Sequence, residues 1–133
     1  MPFDWNLYIE LSKELLDGQR GKAPFQEAHL RTSISRSYYG IYCIARNYLK
    51  DKDIQIPDRD PHKSVREIYS ASSNFLEIRI GENLGRLLRR RNIADYDSDA
   101  IINFSEATAA YNQAHRTLQY LSNLGAIQTK SSV

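Results

Sequence analysis

Ala100-Ile101-Ile102-Asn103-Phe104-Ser105-Glu106-Ala107-Thr108-Ala109-Ala110-Tyr111-Asn112-Gln113-Ala114-His115-Arg116-Thr117-Leu118-Gln119-Tyr120-Leu121 carries apolar residues at Ala100, Phe104, Ala107, Tyr111, Ala114, Leu118 and Leu121. The spacings alternate four and three, which puts those side chains along one seam of a helix that must pack on another. Gly125 suits the C-cap of this helix, and Ile127–Val133 reads as a frayed tail. Working outward, Leu84, Leu87 and Leu88 give a fourth helix an apolar face over about 82–92. The run Ser72-Ser73-Asn74 weakens the third helix, and Gly81 and Gly85 weaken the stretch that follows it. Asp60-Pro61 supplies an N-cap and a first-turn proline for a third helix ending near Ser70. Ile34, Tyr38, Ile41, Ala45 and Tyr48 or Leu49 mark the core face of a second helix over 26–49, with 50–59 as loop. Tyr8, Leu11, Leu15 and Leu16 line a first helix capped by Asp4 and ending near Gly18. Residues 17–22 then form a loop, and Pro24 opens the next helix. No strand signal and no internal repeat competes. The fold expected is all-α, an antiparallel bundle of about five helices in one domain over 1–125 with a tail over 126–133.

Composition narrows the function classes. A chain of 133 residues suits one domain with a real core. A formal net charge of +2 is too small to mark a nucleic-acid binder by bulk charge, so any electrostatic case is local. Cys43 stands alone, which excludes an intrachain disulfide and a zinc-type cysteine pair. His29, His62 and His115 are scattered and form no metal-ligand pattern, so neither a metal nor a cofactor is expected. The N-terminus lacks the basic-then-apolar signal pattern, and no apolar run reaches membrane-spanning length. A cytoplasmic protein without a membrane partner is the simplest expectation.

The strong local case is Arg86-Leu87-Leu88-Arg89-Arg90-Arg91, running into Asn92-Ile93-Ala94-Asp95-Tyr96-Asp97. Four guanidiniums near a helix end can hold phosphate, and they also suit a solvated helix face whose cations favour the negative C-terminus. Three stretches together resemble a known family. They are Ser35-Arg36-Ser37-Tyr38-Tyr39-Gly40, Pro61-His62-Lys63-Ser64-Val65 and Arg91-Asn92-Ile93-Ala94-Asp95-Tyr96-Asp97. In that order, between about 26 and 124, they are similar to the second helix, third-helix start and Arg-centred motif of small prokaryotic HEPN domains.

The resemblance implies a homodimeric bundle, often a metal-independent endoribonuclease in a toxin–antitoxin or defence system. Its active motif is Arg, four to six residues, then His. The Arg would bind the scissile phosphate bidentately, and the His would move protons as the ribose 2′-oxygen attacks. Here the window after Arg91 holds Tyr96, Asp97 and Ser98, and that after Arg89 holds Ala94, Asp95 and Tyr96. Neither supplies His, and tyrosine is a poor base at neutral pH.

The leading expectation is therefore binding of RNA or a nucleotide through an arginine-rich groove. Its residues are Arg36, Tyr39, Arg89, Arg90, Arg91, Asp95 and Tyr96, with Arg91 on phosphate, Arg36 in support, and Asp95 with Tyr96 shaping the site. Arg36 needs a carboxylate partner, for which Asp95 is one candidate, or a phosphate. Asp95 otherwise starts the turn, and Tyr96 and Tyr38 also read as packed tyrosines. By resemblance, Tyr96 is an acceptor for adenylylation by a nucleotidyltransferase antitoxin partner. Two alternatives stand beside binding. One is a ribonuclease in which Arg91 acts with Tyr96, or with a histidine such as His62 brought from elsewhere. The other is a protein-interaction bundle whose arginines meet an acidic surface.

Overall fold

The computed structural model describes residues 2–18 and 25–126. Five helices follow one another: α1 (Asn6–Gly18), α2 (Phe25–Asp51), α3 (Pro61–Ser70), α4 (Phe75–Tyr96) and α5 (Phe104–Asn123). They pack on one another in an all-helical bundle, and no strand occurs among the described residues. The expected loop at 19–22, the Pro24 turn and the tail at 127–133 lie outside the described residues.

α2 is the central element and rests on all four other helices. Its predicted core positions Ile34, Tyr38, Ile41, Ala45 and Leu49 are buried, and so are Ser33, Ser37, Gly40 and Cys43 on its other faces. The small residues let α1 approach closely. A Cβ on Gly40 would collide with the Ile9 side chain. The Ser33 hydroxyl donates to the Ser12 carbonyl across the same contact (2.7 Å). α2 runs two residues past the expected end. Asp53 then takes a left-handed φ of 59°, the Asp53 N–H donates to the Lys50 carbonyl and the Ile54 N–H to that of Leu49. That is a Schellman ending with Asp in place of Gly.

α4 corrects the sequence reading most. It begins at Phe75 rather than near Glu82, and it ends at Tyr96 rather than Asn92. Asn74 is its N-cap, accepting from the N–H groups of Leu76 (2.9 Å) and Glu77 (3.2 Å), while the Ser72 hydroxyl donates to Glu77 (2.6 Å). The run Ser72-Ser73-Asn74 is therefore a start signal, with Glu at the third helical position completing a capping pattern. Gly81 does not interrupt the helix and marks its contact with α3. α5 also starts later than its apolar seam suggested. Asn103 caps it through the Glu106 N–H (2.9 Å), leaving Ala100 in the preceding turn. The buried line is Ala107, Ala110, Ala114, Thr117 and Leu121. At its end Gly125, with φ of 86°, closes a Schellman motif through Gly125 to Ser122 and Ala126 to Leu121. For α3, Asp60 is the N-cap as expected and accepts from the Lys63 N–H (3.3 Å).

Candidate anion-binding site

The last two turns of α4 place Arg91 and Asp95 four residues apart on one face, toward α2. The Arg91 Nε donates to the Asp95 carboxylate (2.8 Å), Nη1 to Asn92 (3.1 Å), and Nη2 to the hydroxyls of Tyr39 (2.6 Å) and Tyr96 (3.0 Å). The guanidinium also sits 4.9 Å from the Tyr39 ring centre and 5.0 Å from that of Tyr96. Four of its five N–H donors are thus engaged within the protein. The same Asp95 oxygen accepts from the Ser35 hydroxyl (3.1 Å) on α2.

Arg36 is in a different condition. Its guanidinium lies 4.9 Å from the Tyr8 ring and 5.4 Å from the Tyr39 ring. Its one hydrogen bond, from Nη2 to the Ser35 hydroxyl, is long at 3.3 Å. Nε is buried with no partner. Among the described residues no carboxylate pairs with it, and the ion pair to Asp95 offered as one alternative does not form. Trp5, Tyr8, Arg36, Tyr39, Cys43, Arg91 and Asp95 line a shallow pocket of about 330 Å³ that is open to solvent. It holds two guanidiniums, one carboxylate and three aromatic rings, a composition suited to an anion carried on a flat ring. Burial raises the pKa of the Cys43 thiol, which disfavours the thiolate.

Of the residues expected at the site, Arg36, Tyr39, Arg91, Asp95 and Tyr96 are brought together. Arg89 and Arg90 are not. At about 100° per residue a helix cannot point consecutive side chains the same way. Arg90 lines a groove between α4 and α5 with Arg79, Arg86 and Arg116, while Arg89 borders an adjoining hollow with Ile93 and Gln113. The run of arginines is shared between two faces of one helix.

Three contributors were not legible in the motif. Trp5 and Tyr8 bring α1 into the pocket wall. Arg31 holds the end of α4. Its Nη1 donates to the carbonyls of Ala94 (2.9 Å), Asp97 (3.0 Å) and Ile93 (3.3 Å), and Nη2 donates to that of Ala100. Its Nε is paired with Glu27 (2.9 Å). The Glu27–Arg31 spacing marks a helical ion pair in the sequence, but nothing there shows its target more than sixty residues away.

His62, at the start of α3, lies behind the pocket wall. It shares a 2.6 Å hydrogen bond through Nδ1 with the Tyr38 hydroxyl and stacks 4.1 Å from the Tyr42 ring. Burial lowers its pKa, and Arg91 lowers it further, while burial raises that of Tyr38. The consequence for stability has a definite sign. As pH falls through about 6.5 the unfolded chain takes up the His62 proton before the folded one does, so stability declines below that point. Urea midpoints measured at about pH 7.5 and 5.5 should therefore drop more for the wild type than for His62→Gln. Equal drops would place the titration elsewhere.

No helix among the described residues is long and apolar enough to cross a membrane, and no three metal-ligating side chains cluster. Compared with protein families, curated proteins and solved structures, the chain matches none.

Proposed function

We propose that this protein is a HEPN-like homodimeric module that binds RNA or a nucleotide by its phosphate in the Arg36–Arg91 pocket. The observation that carries the reading is Arg36, a guanidinium set in an aromatic pocket beside a second guanidinium, without a carboxylate of its own. Burying such a cation unpaired is costly, and a phosphate offsets that cost while the rings of Trp5, Tyr8 and Tyr39 meet a base or ribose. Arg36 is then the group that takes the phosphate. Arg91, already bonded to Asp95 and the two tyrosines, is the group that fixes the pocket's shape. Exposed Ile93, Tyr96, Ile101 and Phe104 at the adjoining end of the bundle suit a contact with a second copy.

Titration with ATP and with a short labelled RNA tests the reading. Arg36→Ala should weaken whichever ligand binds by about 10- to 100-fold, the range of a lost charge-assisted hydrogen bond. Circular dichroism should show the fold retained. A wild-type protein that binds neither ligand, or an Arg36→Ala variant that binds as well as wild type, refutes it.

One observation favours a second reading. His62, whose pKa is lowered by burial and by Arg91, lies against the Tyr39 ring that the Arg91 guanidinium also meets, and it is the histidine placed to stand in for the absent motif His. Metal-independent cleavage of RNA in EDTA, lost in both His62→Ala and Arg91→Ala, would establish a ribonuclease; intact RNA would leave binding alone.

A further inference from the structure

The groove between α4 and α5 lies apart from the Arg36 pocket and is lined by no residue of it. Arg79, Arg86 and Arg90 on α4 face Arg116 on α5 across a volume of about 260 Å³. Arg79 alone of the four has an acidic partner among the described residues, Glu82 at 3.6 Å, and that pair is exposed. Among the described residues Arg86, Arg90 and Arg116 make no ion pair, so the groove keeps an excess of positive charge.

The floor of the groove selects further. The Thr117 hydroxyl donates to the Gln113 carbonyl (2.7 Å), so it must accept from the Asn83 amide nitrogen (3.0 Å). That turns the Asn83 amide oxygen toward Gln113, whose Nε2 donates to it (3.4 Å). The Gln113 Oε1 is thereby fixed facing away, buried and without a partner. Among the described residues no donor reaches it. At the far end the Phe75 ring is exposed and carries the Arg79 guanidinium 5.0 Å from its centre. An exposed ring beside a row of arginines is a stacking platform for a base.

We infer that the α4–α5 groove is a second site, which binds the phosphate backbone of single-stranded RNA across Arg79, Arg86, Arg90 and Arg116. A ribose 2′-hydroxyl donates to the Gln113 Oε1 and a base stacks on Phe75. From Arg79 to Arg90 the helix rises about 16 Å. At roughly 3.4 Å per stacked nucleotide, that is about five phosphates of one strand. The carboxylates of an acidic protein surface would meet the arginines but, being acceptors only, could not themselves serve the Gln113 acceptor as a ribose hydroxyl does.

The test uses the full chain and a fluorescein-labelled 12-residue oligouridine. Arg86→Gln, Arg90→Gln and Arg116→Gln combined should weaken binding about tenfold or more at low salt, and should flatten the slope of log K against log salt by about 2. Arg36→Ala should leave that groove-dependent loss in place, which separates failure here from failure of the pocket. The double variant Arg86→Gln with Arg116→Gln changes exposed positions only and should show a smaller loss in the same direction. The matching oligodeoxyuridine should bind more weakly than RNA in the wild type, and Gln113→Met should erase that preference. Unchanged oligouridine binding in the combined variant overturns the site. So does polyaspartate that competes as well as unlabelled oligouridine of equal charge, and equal binding of DNA overturns the assignment to RNA.

Discussion

Gly81→Leu should lower the free energy of unfolding by about 2 to 4 kcal/mol. Inside a helix a glycine costs roughly 1 kcal/mol relative to alanine, so a substitution that met open space would stabilise. Gly81 does not meet open space. A Cβ there would come 2.8 Å from the Ser70 backbone nitrogen and 3.1 Å from the Arg66 carbonyl oxygen, and it would also strike the Ser70 hydroxyl. The hydroxyl can rotate, but the two backbone atoms belong to the last turns of α3 and can retreat only if that helix does. α3 rests mainly on α4, so its displacement would also draw His62 away from Tyr38 and Tyr42. Urea unfolding measures the loss. Gly18→Ala is the control, since nothing lies within 4 Å of the added carbon. Equal stability of Gly81→Leu and wild type would show that α3 and α4 are not held at this distance by the missing side chain.

The same glycine shows what the sequence can and cannot state. Helical periodicity located the core of α2 because its apolar side chains recur in a pattern that burial alone explains. It misplaced the start of α4, because Gly81 and Gly85 oppose helix by local preference while the backbone of α3 requires Gly81 and only the Arg66 side chain lies over Gly85. The tertiary contact decides that case, and it lies outside any window along the chain. Yet the cap itself was legible, since Asn74 followed by Glu77 is a start signal.

The site divides in a similar way. Short-range motif reading placed Arg91, Asp95 and Tyr96 together because they occupy successive turns of one helix end, and it joined Arg36 and Tyr39 to them through the resemblance. It could not separate Arg91 from Arg89 and Arg90, since a run of like residues conceals the rotation between neighbours. Nor could it tell the engaged guanidinium from the open one. Arg91 reads as the phosphate ligand by its place in the motif, and the structure adds that its guanidinium is bonded to Asp95, Tyr39 and Tyr96.

Arg31→Met should destabilise the fold by about 2 kcal/mol and also weaken ligand binding, although Arg31 does not line the pocket. A helix ends with carbonyls that have no partner in the helix; in α4 the Ile93 carbonyl still accepts from the Asp97 N–H, and that of Ala94 is the first left open. One guanidinium gathers both of them, along with the carbonyls of Asp97 and Ala100 in the following turn. A charge-assisted hydrogen bond contributes about 1.5–3 kcal/mol when well shielded. Here the side chain is 21% exposed, and water can replace part of the set, so the sum is well below four such bonds. What is lost is less energy than order. The last turn of α4 carries Asp95 and Tyr96, and through them the position of Arg91. Amide hydrogen exchange should report faster opening from Ala94 to Ala100, with lesser change at the buried positions of α2. Arg31→Lys should rescue little, because an ammonium cannot span four carbonyls and a carboxylate as a planar fork does. If exchange at Ala94–Ala100 were unchanged in Arg31→Met, the turn would be held by its own backbone bonds. The pocket would then owe its geometry to α2 alone, through Ser35 and Tyr39.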